Sequence, residues 1–474
     1  MNSSYKFAAV GRGYLSRAAL MVAFAAGAEA QTLSLQEYLR QVATTHDGMK
    51  AAAAAEEGAR RRSSEGGIPL APALFVEGQR SLDASPKDFP AAQGQRVEIG
   101  IVKAGVSKTT EFGATARVYY QFSRSDLNGA DPLFVNPVSF YRASPVAEVS
   151  VDLWRNALGR ETRASVAAAR EGALSRAFDE RLARKRLLSD AEQAYWTLAA
   201  ARRAAAIAQE SLERAERLRD WVADRVRRSL VDRAELTEAE AAARLRALEA
   251  RQADDDRRAA ERSFASMRGG FEVHEDLAAV ADDGIFPKRA EKADDVASAE
   301  HGAEAAIGAA QLGVEGTRPK VEAYASGALN GRAPGAAPAV SDSFGPAGPG
   351  WAVGARASVP LDPALLRGVG AGPRREADAA RRRAARAAFD SDRTWLDLGE
   401  RLTDARRRAE LAAEIERAQK ERADAERERQ AQGRTTTYFV LQAEQDWSGA
   451  RRARVEADLQ VRLAQARMTP YAEQ

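Results

Sequence analysis

Apolar residues recur at two different spacings along this chain, and the spacing changes together with the proline content. Apart from Pro470, proline is confined to 69–145 and 287–373, where short segments alternate apolar and polar residues. The regions 146–286 and 374–469 lack proline and are rich in Ala, Arg, Glu, Leu and Gln, the best helix formers. The pattern predicts two strand-and-loop regions, each followed by a long helical region.

Each helical region contains one sequence that favours a reversal. The first lies at 227–232 and the second at 431–435, so we expect two antiparallel helical hairpins. One helix over 164–228 would span about 97 Å at a rise of 1.5 Å per residue. Small and apolar residues recur on it every three or four positions, which predicts a coiled-coil-like seam. They are Ala201, Ala205, Ala208, Leu212, Ala215, Leu218, Val222 and Val226.

A shorter helix is predicted before each strand region. Ser34 and Glu37 form a capping box, in which Ser34 accepts from the Glu37 N–H and the Glu37 carboxylate reaches back. We expect this helix to continue through the alanine-rich stretch 51–62 until Gly66. The analogous helix of the second half covers 295–316 and stops before Pro319.

Several segments alternate with the period of two that strands require. They are 74–79, 97–106, 112–122, 146–153, 321–325 and 353–359. The stretch 331–350, rich in Gly, Pro, Ala and Ser, is predicted to be a long solvent-exposed loop. The strands at 149–153 and 357–361 are offset by 208 residues, and the sequences that follow the two helix reversals are offset by 204 residues. Because the two offsets nearly agree, we infer an internal duplication.

Composition gives little support to enzyme chemistry. The chain has no cysteine, no phosphate-binding Gly-Lys-Ser/Thr sequence and no ligand spacing among His46, His274 and His301. The acidic pair at 282–283 is interpreted as a solvated cap. We therefore expect no catalytic residue, cofactor or metal, and the interleaved charges with a net +3 do not favour a nucleic-acid partner.

The first thirty residues have the pattern of a cleavable export signal. Basic residues precede an apolar stretch at 18–26, and Ala28-Glu29-Ala30 supplies the small-x-small cleavage pattern. The predicted divisions are a signal peptide over 1–30, a first repeat over 31–270 and a second repeat over 271–474. No other segment has the roughly 18 consecutive apolar residues that a membrane helix needs.

Order and spacing of short motifs resemble the TolC-like outer membrane efflux proteins over nearly the whole mature chain. The resembling sequences are 33–37, Pro319 before a strand, the strand-to-helix junction 151–160, 194–198 in the long helix, 433–436 and 441–444. The resemblance implies a mainly α fold with a β-barrel part. Long duplicated helical hairpins would form a periplasmic α-barrel, and each chain of a homotrimer would add four strands to a shared twelve-stranded outer membrane barrel.

The resemblance also implies a function. Such a trimer is the exit duct of a tripartite efflux pump or a type I secretion system, and it conducts passively. Its partners would be outer membrane lipid, a periplasmic adaptor and an inner membrane transporter. The alternative is a periplasmic coiled-coil scaffold whose strands form a small soluble domain.

Candidate site residues follow from position in the resembling family. The adaptor-contact candidates at the two helix reversals are Arg227, Arg228, Ser229, Leu230, Val231, Gln432, Gly433, Arg434 and Thr435. Asp424 and Glu428 are candidates for a tunnel constriction. Tyr119, Tyr120, Trp154 and Trp351 are candidates for a membrane-interface belt, with plain packing as an equal interpretation.

Two features depart from the family pattern. The first half has more strand-like segments than two strands need, so we expect 112–122 and 146–154 to form the membrane pair, with the earlier segments as an extra hairpin or loop. Ser229 stands at the first reversal where many relatives place glycine, which predicts a tighter or more polar turn there.

Overall fold

Helices make up most of the chain. The computed structural model describes residues 32–270, 273, 275–345 and 348–473; the predicted signal peptide and His274 lie outside them. The helices are α1 (Leu35–Thr45), α2 (Asp47–Arg62), α3 (Pro90–Gln93), α4 (Arg160–Arg227), α5 (Arg233–Arg268), α6 (Asp294–Gly316), α7 (Ala336–Asp342), α8 (Pro363–Ala431) and α9 (Thr437–Met468). Within this described part of the chain, no helix combines the length and apolarity needed to cross a membrane.

Two antiparallel helical hairpins, α4 with α5 and α8 with α9, reverse where the sequence predicts. The long arms have 68 and 69 residues, which corresponds to about 100 Å at the α-helical rise. Near the sheet, α2, α4, α6 and α8 lie side by side, and further away the order is α5, α4, α9 and α8. The helical part is therefore one layer, four helices wide at both levels.

Small side chains hold this layer together. The predicted seam on α4 faces its neighbours: Ala208, Ala215 and Val222 are buried and the other five seam residues are half-buried. Alanine lets helix axes approach closely, so a layer with two exposed surfaces still buries a continuous stripe on each helix. The seam prediction is confirmed.

The first helix is interrupted, contrary to the prediction of one continuous helix. His46 has an extended backbone, and its Nδ1 accepts from the Met49 N–H at 3.3 Å, so it ends α1 and caps α2. Ser34 accepts from the Glu37 N–H at 3.2 Å as predicted, but the Glu37 carboxylate accepts from Arg40 at 2.9 Å rather than reaching back.

Among the described residues, the largest apolar cluster lies where α1 and the segment 275–290 cross the helical layer. Tyr38 stacks on Phe264 at 4.1 Å between ring centroids, and both side chains are fully buried. The Tyr195 hydroxyl donates to the Leu33 carbonyl at 2.6 Å and accepts from the Ala278 N–H at 3.0 Å. Tyr195 therefore ties both crossing segments to α4.

The acidic pair at 282–283 is an exposed cap, as predicted, and it also belongs to this crossing. Both carboxylates do cap the backbone of the next turn, at Gly284 and Ile285. Arg406 also donates to Asp282 at 2.7 Å, and Arg462 donates to Asp283 at 2.6 Å. The pair thus fastens the crossing segment to α8 and α9.

All strands belong to one antiparallel sheet. They are β1 (Ala73–Asp83), β2 (Arg96–Thr109), β3 (Ala114–Asn128), β4 (Ser139–Asp152), β5 (Lys320–Leu329), β6 (Gly331–Ala333) and β7 (Pro349–Ser358). The order is β1-β2-β3-β4-β5-β7. The short strand β6 pairs with β4 near the end of β4 that lies away from the helices. Pro145, which has no N–H, lies where the partner of β4 changes from β5 to β6.

The sheet has six long strands, two more than the four per chain that the resemblance implies for the barrel. The shared barrel itself stays a prediction. The expected pair of 112–122 and 146–154 is present as β3 and β4. The expected extra hairpin is also present as β1 and β2, but β2 is hydrogen-bonded to β3 along its whole length. The hairpin is therefore part of the same sheet rather than an appendage.

The loop predicted at 331–350 is structured over its described residues. It contains β6 and α7, and α7 packs on β4 through Ala339 and Ala143, both fully buried. The Tyr120 and Ser343 hydroxyls are hydrogen-bonded at 2.9 Å. Small residues favour loops locally, but here they allow the segment to lie flat against the sheet.

One half-buried carboxyl in the helical layer has no cation in direct contact among the described residues. Burial raises the pKa of Glu192 above the usual value for glutamate, and its Oε2 accepts from the Thr469 hydroxyl at 3.2 Å. Because the pKa is higher in the folded protein than in the unfolded chain, ionisation opposes folding at neutral pH.

We predict that Glu192→Gln stabilises the protein at pH 7 by about 1 kcal/mol, since glutamine keeps a hydrogen-bond acceptor without the buried charge. The gain should disappear as the pH falls, because the wild-type carboxyl then becomes protonated. Thermal unfolding of both proteins at pH 7 and pH 4 measures the difference. Glu304→Gln, at an exposed position on α6, is the control, and an equal gain there would contradict the prediction.

Candidate functional site

The two hairpin tips have the same backbone geometry. At the first, Ser229 has φ 58°, and the Leu230 N–H donates to the Arg225 carbonyl at 2.9 Å. At the second, Gly433 has φ 69°, and the Arg434 N–H donates to the Arg429 carbonyl at 2.8 Å. Both are Schellman turns, in which a left-handed residue ends the helix. Ser229 therefore makes the ordinary turn with a less suitable residue, not a tighter turn.

The predicted tip residues are accessible. Leu230 is 61% exposed, although it is a large apolar side chain, and Val231 is half-buried beside it. Thr435 is half-buried and donates to Glu426 Oε2 at 3.0 Å. The remaining exposed candidates are Arg227, Arg228, Ser229, Gln432, Gly433 and Arg434. Each tip thus presents arginine together with backbone that leaves the helix.

The two tips are joined to each other. The Thr437 hydroxyl, one residue into α9, donates to Glu235 Oε2 on α5 at 2.7 Å, and Thr437 is 2% exposed. Side by side, the tips form one surface at the end of the molecule opposite the sheet.

The constriction candidates Asp424 and Glu428 lie on the last turns of α8 and are exposed. Asp424 is paired with the neighbouring Arg427, and Glu428 accepts from the Gln432 side chain at 3.4 Å. Neither contacts the first tip through a recorded hydrogen bond or ion pair in the described residues. Their role in a constriction stays a prediction.

A cluster that sequence reasoning missed lies about one to four helical turns behind the tips. We call Arg214, Arg427, Glu444, Trp447 and Arg451 the Trp447 cluster. The three guanidinium groups lie 4.7, 5.0 and 5.3 Å from the indole centroid. Arg214 donates to Glu444 Oε2 at 3.0 Å and Arg427 donates to the other carboxylate oxygen, so Glu444 bridges α4 and α8.

A second ion pair extends the cluster away from the tips. Arg451 on α9 donates to Glu210 on α4 at 2.6 Å, and this hydrogen bond is the main cause that lowers the pKa of Glu210. The Arg451 side chain is only 10% exposed. The contacts of Arg214 with Glu444 and of Arg451 with Glu210 connect residues more than two hundred positions apart. The only sequence signal was that Glu444 falls within a resembling motif.

Next to the cluster, a groove of about 440 Å³ lies between the two hairpins. Leu218, Trp221, Leu245 and Val440 give it apolar walls, and arginines 214, 217, 246 and 427 reach its margin. The groove and the tip surface are adjacent, so a partner at the tips would meet both apolar and cationic groups.

The four aromatic candidates occupy different positions on the sheet. Trp351 on β7 is 82% exposed, and Trp154, just after β4, is 54% exposed. Tyr119 and Tyr120 are half-buried on opposite faces of β3. Packing therefore explains the position of Tyr120, whose hydroxyl is hydrogen-bonded to Ser343. The two exposed tryptophans have no such packing role.

The sheet has one apolar and one mainly polar face. A row across all six long strands contains only apolar residues and glycine: Leu74, Val106, Val118, Ala147, Gly327 and Trp351. A row on the other face, three positions further along the strands, has Glu77, Lys103, Gln121 and Ser144. Large residues on the apolar face are exposed, among them Leu74 at 79%, Val76 at 69% and Val353 at 72%.

Solved structures share this architecture. The outer membrane protein VceC of Vibrio cholerae is 14% identical, with 92% of this chain and 96% of that chain covered and a TM-score of 0.63. The Neisseria gonorrhoeae MtrE outer membrane channel in its open state is 16% identical, with 92% and 88% covered and a TM-score of 0.65. The Campylobacter jejuni CmeC outer membrane channel is 14% identical, with 92% and 85% covered and a TM-score of 0.63.

These likenesses extend over almost the whole chain. No family model and no curated protein matches the sequence. At such low identity the comparison establishes the fold: this chain folds like the outer membrane channels, with long helical hairpins attached to an antiparallel sheet.

We predict opposite effects of two substitutions at the tips. Ser229→Gly should stabilise the first tip by about 1 kcal/mol, and Gly433→Ala should destabilise the second by a similar amount, because only glycine tolerates positive φ without strain. Amide hydrogen exchange should therefore become about fivefold slower at the first tip of Ser229→Gly and about fivefold faster at the second tip of Gly433→Ala.

The matched control for these tip variants is Ser266→Gly, at an exposed helical position on α5. There glycine should destabilise by about 1 kcal/mol, because it loses more backbone entropy in a helix. Faster exchange at the first tip of Ser229→Gly would contradict the assigned turn geometry.

We also predict that Glu444→Gln loosens the connection between the hairpins. The change removes the charge between Arg214 and Arg427, and leaving such groups unpaired costs about 1–3 kcal/mol. Amide exchange in 205–220 and 440–450 should quicken. Asp446→Asn, which affects the more exposed pair with Arg422, should have a smaller effect; an equal effect would sink the prediction.

Proposed function

We propose that three copies of this chain form an outer membrane channel, the exit duct of an export system. The observation that carries this proposal is the one-sided sheet, which continues directly into helices about 100 Å long. Exposed apolar surface costs about 25 cal/mol per Å² in water, so a face of this size needs a nonpolar environment. A lipid bilayer supplies that environment and needs no helical span.

The polar face of the sheet supports the same proposal. In a closed barrel, residues that face lipid alternate with residues that face the lumen. Glu77, Lys103 and Gln121 would then line a water-filled passage. The fold shared with the outer membrane channels agrees with this arrangement. The expected export signal at 1–30 would bring the chain across the inner membrane.

The tips are the proposed contact with a periplasmic adaptor, which couples the duct to an inner membrane transporter. Arg227, Arg228 and Arg434 would attract acidic groups of the partner, while Leu230 supplies an exposed apolar anchor. We keep Asp424 and Glu428 as candidates for the narrowest part of the tunnel, because they lie close to the tip. Conduction through such a duct is passive, so it requires no catalytic residue.

The alternative function, a periplasmic coiled-coil scaffold, does not explain why one face of the sheet is apolar and exposed. Fractionation separates the two functions. We expect the chain in the outer membrane fraction, released by detergent as a trimer. Recovery of the full chain from the soluble periplasmic fraction without detergent would refute the channel proposal.

Charge reversal at the first tip tests the adaptor contact. We predict that the double variant Arg227→Glu, Arg228→Glu lowers export at least tenfold while trimers remain intact, since repulsion at a docking surface weakens binding by a few kcal/mol. Export is measured by the accumulation of a pump substrate in intact cells.

The matched control reverses another exposed arginine pair, Arg382 and Arg383, about 70 Å from the tip along α8. Normal export is expected from it. Unchanged export by the tip variant, with normal trimer levels, would remove Arg227 and Arg228 from the contact surface.

A further inference from the structure

The sheet of this chain has two open edges. β1 and β7 end the strand order, and neither has a second strand partner among the described residues. They are also the most exposed long strands: ten of the eleven residues of β1 and eight of the ten of β7 are exposed. Both are long enough for a bilayer, since a spanning strand needs about 9–11 residues.

The two edges carry few of the devices that block edge pairing, although charged side chains are present at Glu77, Arg80 and Asp83 of β1 and at Arg356 of β7. Proline and lysine commonly protect an edge strand, but β1 has neither, and β7 has only Pro349 at its first residue. In lipid, unpaired backbone N–H and C=O groups are costly, so a spanning sheet must close. The edges are therefore suited to pairing with another copy of this chain.

The topology points to an eighteen-stranded barrel in which β1 of each of three copies pairs antiparallel with β7 of the next. This inference rests on the proposed membrane channel. Direction supports it, because β1 leads away from the helical layer and β7 returns to it, so the two edges meet antiparallel. A barrel with four strands from each copy and twelve in total would instead require β2 to separate from β3, although the two strands are paired along fourteen residues.

The widths of the two layers agree with this count. Four helices at spacings of 8–10 Å occupy about 32–40 Å of the wall. Six strands spaced about 4.8 Å apart and tilted about 40° occupy about 38 Å, whereas four occupy about 25 Å. Six strands therefore continue the helical layer without a change in width.

Charge favours one register between neighbouring copies. Glu77 on β1 and Arg356 on β7 both lie on the polar face, and their side chains are 56% and 63% exposed. Arg356 already donates to Glu322 at 3.0 Å, and its guanidinium has further N–H groups for a second carboxylate. With Glu77 opposite Arg356, the apolar faces also continue, because Leu82 then lies opposite Trp351.

This register is compatible with barrel geometry. It brings the helix-side ends of β1 and β7 to nearly the same level. The stagger that this register adds around the barrel tilts eighteen strands by about 45° from the barrel axis, within the usual range. A barrel of this size leaves an aqueous channel rather than a packed interior. The narrowest point of the duct would then lie in the helical part.

Disulfide trapping tests the inference without background, since the chain has no cysteine. Arg356→Cys is combined in turn with Phe75→Cys, Glu77→Cys or Gln79→Cys, and membranes are oxidised. We expect covalent dimers and trimers on non-reducing gels, strongest with Glu77→Cys. Val76→Cys, on the opposite face, is the matched control and should not crosslink.

A second set of variants represents the twelve-stranded wall. There β3 would meet β7 of the next copy, so Arg356→Cys would crosslink with Thr115→Cys or Arg117→Cys. Crosslinks of this second set, or none with any β1 position in intact membrane trimers, would overturn the inference while leaving the channel proposal standing. Loss of membrane location or of trimers in the cysteine-free protein would instead refute the channel itself.

Discussion

The constraint on which this structure depends is that most of it is one layer thick. A helix in a single layer is covered only by its two neighbours, so it buries two narrow stripes and exposes the rest. The buried side chains are mainly alanine, which permits close approach of long helices. The same constraint holds in the sheet, where the apolar face has no second layer over most of its area. In the proposed channel, further copies and lipid cover the surfaces that a single layer leaves exposed.

Polar contacts between the helices stabilise the layer where it is too thin to form an apolar core. The hairpins are connected by Glu444 between two arginines and by Arg451 with Glu210. The Glu444 and Arg451 side chains are 16% and 10% exposed, so breaking their ion pairs leaves a charge that water screens only in part. Such contacts hold the hairpins in register. In the described part of the chain, the crossing around Tyr38, Tyr195 and Phe264 is the largest apolar core.

Local signals predicted the helices and strands well because each depends on nearby residues. The period of two, the reversals and the small-residue seam are short-range patterns, and the structure contains the elements they indicate. The helix break at His46 and the ordered segment after Asn330 were not predictable in this way. The first depends on one side chain capping the next helix, and the second on contacts with Tyr120 and Ala143 on distant strands.

By itself, the sequence determined which segments are helices or strands, where the hairpins reverse and which family pattern they follow. Only the tertiary structure decided that the extra hairpin joins the sheet, so that β1 rather than β3 is the edge. It also decided that Trp447 lies among three arginines and that both tips use the same turn despite Ser229. The physical reason is that strand pairing and cross-helix ion pairs join residues far apart in the chain. Their partners are chosen by packing, which no local pattern records.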